Sequence, residues 1–330
     1  MRGSNILDWL RVMRAQTGVA TALVYLVPFL HGSSDYLWAA VLGAYSLIVH
    51  FFSFGHNSLM DTAMGYDVKD PNKKHHPLVS GRIPIYVAHT VIQFGLLVLT
   101  VIGGALALYL SPNSAICLLC LLVATVSGYS YNCGLAKESY LGCIPISLYF
   151  SLLGAYAWLL SHQEIGILGA SLIAYLFMTV MFQIAWSGHL KDIEVKERSN
   201  LLVMLGARVE EIGGVKVFIP GRSLAFGYAV KILNLIAGAI ILWINFDMSR
   251  AAFFALFSAG ILFMLRNLTK RRAYVRSEEL KKMSIMEILT IYMVIPLMLP
   301  WVTSLLLMLA GVIYFFLLNK LLWGVGYPAV

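Results

Sequence analysis

The chain carries little charge. Only 12% of its 330 residues are charged, whereas 60% are hydrophobic. Soluble globular domains contain about 25% charged and about 45–50% apolar residues, so this composition excludes an ordinary soluble domain. The apolar stretches also lack the alternation, over segments of about ten residues, that is typical of transmembrane barrels. We therefore predict an all-α, polytopic integral membrane protein.

Cysteine is also scarce, with four residues in the whole chain. Cys117 and Cys120 are separated by two residues, a spacing found in redox and metal motifs. They lie inside an apolar stretch, however, and no second ligand pair accompanies them. We expect them to behave as small buried hydrophobic residues, as free cysteine usually does, and we expect no disulfide.

Nine apolar stretches approach the length of about 20 residues that a membrane-spanning helix requires. The last one, residues 285–322, is too long for one ordinary span and is interrupted by Pro296 and Pro300. It is either one kinked helix or two spans, so we expect nine helices and keep ten as the alternative. We treat residues 1–330 as a single transmembrane domain. The other eight stretches are 17–31, 36–55, 84–109, 114–131, 140–161, 165–187, 223–245 and 250–266.

Basic residues are concentrated in alternate loops. The N-terminal segment and the loops after the second, fourth, sixth and eighth stretches carry most of the 24 Lys and Arg residues. The positive-inside rule therefore predicts that the N-terminus and these loops are cytoplasmic. Contact with anionic membrane lipids is enough to explain this excess of positive charge, so we expect membrane lipids as partners. No basic segment is interleaved with aromatic residues, so we expect no nucleic-acid partner.

One polar motif follows the second apolar stretch. Asn57 and Asp61 are four residues apart and therefore share one face of a helix. Gly65 then permits a turn, and Asp67 follows it. Polar and acidic side chains at the end of a membrane helix are costly, which makes a functional site the default hypothesis. Their oxygen ligands suit Mg²⁺, an ion that commonly binds together with substrate phosphates.

Two further basic loops carry candidate residues. The loop after the fourth stretch contains Lys137, and the loop after the sixth contains the run Lys191-Asp-Ile-Glu194. Carboxylates from two loops and cations from three could together form a cradle for Mg²⁺ and a diphosphate.

These motifs resemble those of the UbiA superfamily of intramembrane prenyltransferases. Asn57, Asp61 and Asp67, followed by the ending Pro77-Leu-Val-Ser-Gly-Arg82, are similar to the family's first motif. The Asp-x-x-x-Gly-x-Asp variant looks like the menaquinone branch, the dihydroxynaphthoate prenyltransferases. Supporting similarities lie in three other segments: Arg14–Thr17, Tyr129–Lys137 and Lys191–Gly206.

The resemblance implies a helical bundle around a central, lipid-open cavity, and Mg²⁺-dependent transfer of a polyprenyl group from an isoprenoid diphosphate. It implies catalytic roles for Asp61, Asp192 and Lys137. It further implies metal ligands (Asn57, Asp61, Asp67, Asp192 and Glu194) and diphosphate-binding residues (Asn57, Arg14, Lys74, Arg82 and Lys191).

The sequence leaves the acceptor open. The first acidic motif favours an aromatic quinone precursor, whereas the run around Pro77 looks more like branches that use hydroxybenzoate or glycerol-phosphate lipids. The second acidic motif departs from the family, because Lys196 stands where a second Asp is usual. Two other functions therefore stay open, a lyase that releases diphosphate without an acceptor and a non-catalytic lipid-binding or transport protein.

Overall fold

A computed structural model describes residues 5–70, 73–134, 139–161, 163–194 and 200–324. The structure is almost entirely helical, which confirms the predicted fold class. Its helices are α1 (Ile6–Val12), α2 (Gly18–Gly32), α3 (Tyr36–Ala63), α4 (Tyr66–Lys69), α5 (Ile85–Leu110), α6 (Ser114–Asn132), α7 (Cys143–Leu160), α8 (Ile167–Phe182), α9 (His189–Lys191), α10 (Leu201–Met204), α11 (Ser223–Ile244), α12 (Met248–Thr269), α13 (Arg276–Met298) and α14 (Trp301–Trp323). Short 3₁₀ turns cover Ala15–Thr17 and Tyr140–Gly142, and a π-helical segment, Gln183–Gly188, joins α8 to α9.

Among the described residues, eight helices are long and apolar enough to cross a membrane. The count becomes nine when Ile6–Val12 and Ala15–Gly32, which meet at a 58° bend, are taken as one span. The bend lies at Arg14, whose φ of 47° is in the left-handed region that non-glycine residues rarely adopt. Such backbone strain concentrates at functional sites.

The long C-terminal apolar stretch forms two helices, α13 and α14. The α13 helix begins beside Asp192 and ends where Met298 O accepts a hydrogen bond from His31 Nδ1 at the end of α2. The α14 helix then runs back to the end of the bundle where α13 began. This is shown by Leu322 O near the end of α14, which accepts a hydrogen bond from Arg11 Nε near the N-terminus. Both helices therefore run between the two ends of the bundle. The apolar spans in the described part of the chain number eight or nine, in agreement with the predicted nine, because α13 is too polar to count among them.

The sequence analysis missed a small antiparallel sheet. Strand β1 (Arg208–Ile212) pairs with β2 (Val215–Ile219), and β2 also pairs with β3 (Arg272–Ala273). Gly213 and Gly214 form the hairpin turn with φ values of +59° and +79°. Two glycines between short segments rich in β-branched residues are a hairpin signal. The sheet packs on the bundle through Phe218, which is fully buried against Trp186.

The apolar core consists mainly of two clusters. Buried residues of α2, α3, α6 and α7 form one cluster, and those of α8, α11, α12 and α13 form another. Cys117 and Cys120 are buried in the first cluster, and all four cysteines are free. The expectation that they act as small hydrophobic residues is confirmed.

Candidate functional site

A cavity of about 890 Å³ lies inside the bundle. The α3 helix contributes a residue at every fourth position to its wall, so the helix lines the cavity from the deep interior to the charged end. The run covers 17 residues, and its 16 steps extend about 24 Å at 1.5 Å per residue. These residues are Tyr45, Val49, Ser53, Asn57 and Asp61. The cavity therefore changes from aromatic and apolar to amide and acidic along a single helix.

The first acidic motif has the geometry that its sequence predicts. The α3 helix ends at Ala63, and Gly65 adopts a left-handed φ of +80°, which turns the chain into α4. Asp67 thereby lines the same cavity as Asn57 and Asp61. Asn57 donates a hydrogen bond through Nδ2 to Asn132 Oδ1 over 3.1 Å. This bond does not use the Oδ1 atom of Asn57 itself, which is the atom that would bind a cation.

Cations surround these carboxylates. Arg14 approaches Asp61 with 4.0 Å between Nη2 and Oδ2, and Lys73 donates to Asp67 Oδ1 over 2.6 Å. Across the cavity, Arg276 lies 3.7 Å from Asp192 Oδ1. Arg276 Nε is buried and donates no hydrogen bond to any residue in the described part of the chain. Donors therefore remain at this end of the cavity for an anion such as a phosphate.

Other predicted residues have different surroundings. Glu194 is paired with Lys216 of β2 over 2.6 Å, and Lys74 is exposed. Arg82 contacts Asp8 over 3.2 Å and donates to the carbonyl of His75. Neither Glu194, Lys74 nor Arg82 lines the cavity. Their predicted roles stay predictions, and that of Lys137 concerns a residue outside the described ranges.

The predicted residues that do meet at the charged end come from three separate parts of the chain. One set precedes α2, one ends α3 and fills α4, and one follows the π-helical segment. They are Arg14, Asn57, Asp61, Asp67, Lys191 and Asp192. Sequence reasoning did not assign roles to three other cations that line the cavity, Arg11, Lys73 and Arg276. Lys73 stands in a basic run after the first motif, whereas nothing in the sequence links Arg276 to Asp192.

The donor set at this end fits Mg²⁺. Asp67 Oδ2 is buried and accepts no hydrogen bond from any residue that the structure describes, which makes it an available hard oxygen ligand. Over the described ranges, no three His, Cys, Asp or Glu side chains form a compact metal cluster. Mg²⁺ does not require such a cluster, since one or two carboxylates, waters and substrate phosphates commonly complete its coordination.

The electrostatics of the loop beside this site favour an anion. Burial lowers the pKa of His76 from 6.5 to about 3. The positive charges of three residues act in the same direction, those of Arg14, Lys73 and Arg82. The imidazole is therefore neutral near pH 7, and the positive charge at this end comes from arginine and lysine.

Solved structures share this architecture. A structure of digeranylgeranylglyceryl phosphate synthase matches with a TM-score of 0.63 at 15% identity, over 88% of this chain and 96% of that one. A UbiA homolog from Archaeoglobus fulgidus bound to GPP and Mg²⁺ matches with a TM-score of 0.60 at 18% identity, over 88% and 99%. The same homolog bound to DMAPP and Mg²⁺ gives a TM-score of 0.58. At these identities the likeness establishes the fold.

No curated protein sequence matches the chain significantly. The family assignment depends instead on a sequence model that extends from α2 into α13 and so includes both acidic motifs. Since the model of the UbiA prenyltransferase family matches residues 17–291, this chain belongs to the UbiA prenyltransferase family.

Proposed function

We propose that this protein transfers a polyprenyl group from an isoprenoid diphosphate to an acceptor inside the membrane. The observation that carries the proposal is the continuity of the cavity. Its charged end gathers carboxylates and cations, and the same space continues along α3 to an aromatic, apolar interior. A substrate with a charged head and a long apolar tail is complementary to such a space.

The charged end would bind the diphosphate and Mg²⁺. Asn57, Asp61 and Asp67 on one side and Asp192 on the other would hold the ion. Mg²⁺, when bound, supplies neutralisation of the charge that develops on the departing diphosphate. Arg14, Lys73, Lys191 and Arg276 would bind phosphate oxygens and add to this stabilisation. The Archaeoglobus fulgidus homolog, whose structures contain GPP or DMAPP with Mg²⁺, supports this assignment.

The interior would hold the prenyl tail and shield the allylic cation. Tyr25, Tyr45 and Tyr149 line this region, and the rings of Tyr25 and Tyr45 meet edge to face at 6.0 Å. Aromatic faces attract cations. An apolar wall also limits the access of water, which would otherwise capture the cation before the acceptor does.

The acceptor defines the branch of the family. The Asp-x-x-x-Gly-x-Asp spacing that ends at Asp67 favours the menaquinone branch and an aromatic quinone precursor. A lipid precursor is the alternative, and the likeness to digeranylgeranylglyceryl phosphate synthase is compatible with it. Both acceptor classes stay predictions that product analysis separates.

The decisive experiment uses the purified protein in lipid nanodiscs, with Mg²⁺ and a series of C10–C50 isoprenoid diphosphates. We expect diphosphate release that requires Mg²⁺ and depends on Asp61. Asp61→Asn should reduce the rate by about 100-fold, in the range observed when one electrostatic stabiliser is removed. Asp35→Asn, at the opposite end of the bundle, is the matched control, because Asn also caps helices well.

The products formed in the absence of an acceptor distinguish a prenyltransferase from a lyase and from a binding or transport protein. Cyclised or eliminated products formed rapidly without any acceptor would identify a lyase. Absence of diphosphate release from every donor, with retained lipid ligands, would reject the proposal in favour of a binding or transport protein.

We further propose that the N-terminus and the charged end of the cavity face the cytoplasm, as the distribution of basic residues predicts. Ser34 and Ser277 are exposed at opposite ends of the bundle. In intact cells, a membrane-impermeant thiol reagent should label Ser34→Cys and should label Ser277→Cys only after permeabilisation. The reverse pattern would overturn the orientation.

A further inference from the structure

A second polar cluster lies in the cavity wall, deeper than the acidic motifs. Glu287 of α13 lines the cavity together with Met283, Ile291 and Val294 of the same helix. It is therefore a carboxylate on an otherwise largely apolar face. An ionisable residue inside a membrane bundle is costly, and its default interpretation is functional. The acidic motifs do not account for Glu287.

Two polar side chains of the π-helical segment face this carboxylate. Gln183 Nε2 donates to Glu287 Oε2 over 3.3 Å, and the buried Ser187 hydroxyl lies beside the same carboxylate. All three residues line the cavity. π-Helical turns are rare and occur frequently at functional sites. An amide, a hydroxyl and a carboxylate thus converge on one part of the cavity wall.

A buried lysine balances the carboxylate from outside the cavity. Lys231 of α11 is 1% exposed, donates to Thr290 Oγ1 over 2.9 Å and lies 4.3 Å from the centre of the Phe182 ring. It does not line the cavity, but its charge attracts that of Glu287. Buried charges persist when they are compensated in this way. Lys231 therefore offsets part of the cost of burying the carboxylate without occupying the substrate space.

The cluster is close to the diphosphate end. Gln183, Ser187 and Lys191 follow one another at intervals of four residues, and all of them line the cavity. Ser187 and Gln183 therefore precede Lys191 by one and two turns on the same continuous helical stretch. Lys191 also interacts electrostatically with Glu287. A group bound at Glu287 would lie on the tail side of the diphosphate, where the allylic carbon is released.

We propose that Glu287, Gln183 and Ser187 form the acceptor subsite, which binds a hydroxyl-bearing acceptor and takes up its proton. This inference rests on the proposed prenyl transfer. The carboxylate accepts a hydrogen bond from the acceptor hydroxyl, while the amide and the serine hydroxyl orient the acceptor. The other described carboxylates of the wall, Asp61, Asp67, Asp70 and Asp192, all belong to the two acidic motifs or adjoin them.

The reaction at this subsite is balanced. The bond between the allylic carbon and the diphosphate oxygen breaks, and its electron pair leaves with the diphosphate. Either a lone pair of the acceptor oxygen forms the new bond to that carbon and the O–H bond breaks, or a ring carbon of a phenol forms it and the C–H bond at that ring carbon breaks as the ring regains aromaticity. The acceptor's proton passes to a carboxylate oxygen of Glu287 and later to solvent. General base catalysis of this kind typically contributes about 10²–10⁴-fold to the rate.

The test separates release of diphosphate from transfer of the prenyl group. Three hydroxylated probes are used with Mg²⁺ and a prenyl diphosphate: 1,4-dihydroxy-2-naphthoate, 4-hydroxybenzoate and geranylgeranylglyceryl phosphate. In Glu287→Gln we expect prenylation to fall by about 100-fold, while diphosphate release without acceptor stays within about twofold of the wild type. Glu287→Asp, which keeps the carboxylate, should recover part of the transfer. Glu278→Gln is the matched control, because Glu278 is exposed on the same helix.

Each outcome decides the assignment. Unchanged prenylation in Glu287→Gln would overturn the subsite while leaving the proposed function intact. Equal losses of diphosphate release and transfer would also overturn it, because they would indicate a general structural role. A wild-type protein that releases diphosphate but prenylates none of the probes would exclude a hydroxyl acceptor. Absence of Mg²⁺-dependent diphosphate release in the wild type would instead refute the proposed function itself.

Discussion

Lys73 donates a hydrogen bond to Asp67 Oδ1 over 2.6 Å, and the other carboxylate oxygen of Asp67 is buried with no hydrogen-bond donor among the described residues. Asp67 is 3% exposed, and Lys73 is its ion-pair partner among the described residues. A divalent cation at Oδ2 would supply the same compensation more strongly. The lysine and the predicted metal therefore act on one carboxylate.

This relationship predicts the behaviour of Lys73→Met. Removal of one partner of a buried ion pair costs about 3–5 kcal/mol, so the variant should melt at a lower temperature than the wild type without metal. Because Mg²⁺ would then compensate the carboxylate, the increase in melting temperature on adding Mg²⁺ should be larger than in the wild type. Lys69→Met, an exposed lysine on α4, is the control. Equal Mg²⁺-induced shifts in the two variants would contradict binding of the ion at Asp67.

Arg276 should contribute to donor binding. Its guanidinium is 3.7 Å from Asp192 and retains a buried Nε donor. We expect Arg276→Gln to lower kcat/KM for the isoprenoid diphosphate by about 10- to 100-fold, because a charge-assisted contact to a phosphate is lost. Kinetics over a range of donor concentrations would measure this. Arg271→Gln removes an exposed arginine shortly before α13 and should have little effect; a comparable loss there would point to a general charge effect instead.

Gly227 should be intolerant of a side chain. A Cβ atom at this position would overlap the indole of Trp186, which is fully buried next to Ser187. Gly227→Ala should therefore destabilise the protein by about 1–3 kcal/mol, as overpacking does. At Gly260 the nearest atom to a Cβ would be 3.4 Å away, an ordinary contact. Thermal melting in detergent should show a decrease for Gly227→Ala and almost none for Gly260→Ala; similar melting temperatures would contradict the close packing.

His76 should make stability dependent on acid pH. Its pKa of about 3 in the folded protein is below its ordinary value of 6.5, because burial disfavours the charged imidazole. Above pH 6.5 the group has no effect. Below pH 6.5 the unfolded chain binds a proton that the folded chain does not, so stability falls, by about 2 kcal/mol at pH 5.0.

His76→Gln removes this contribution. The decrease in melting temperature between pH 7.5 and pH 5.0 should therefore be smaller in the variant than in the wild type. His89→Gln, at an exposed position of α5, should retain the wild-type decrease. Identical pH dependence in all three proteins would show that His76 titrates normally.

Local sequence patterns predicted the first acidic motif well. Asn57 and Asp61 share a helix face because the periodicity of the helix requires it, and Gly65 forms the turn because glycine adopts a positive φ without strain. These relationships span at most four residues. They could be derived before any tertiary contact was known.

Long-range relationships were not accessible in this way. Arg276 and Asp192 are 84 positions apart, and Glu287 is 104 positions from Gln183. Neither residue pair has a local pattern, since the helices that carry them meet only through packing. The hairpin at Gly213-Gly214 did have a local signal, but it lies between membrane spans, and the sequence analysis predicted helices alone.

By itself, the sequence determined the membrane class, the helical architecture and the face of α3 that carries Asn57 and Asp61, because hydropathy and helix periodicity are local properties. Only the tertiary structure decided that Lys73 and Arg276 complete the charged end, that Glu194, Lys74 and Arg82 lie outside the cavity, and that Glu287 lies within it. The physical reason is that a cavity is formed by the packing of helices that are distant in sequence. The register of that packing depends on pairs of helices, so the local sequence of one helix does not determine it.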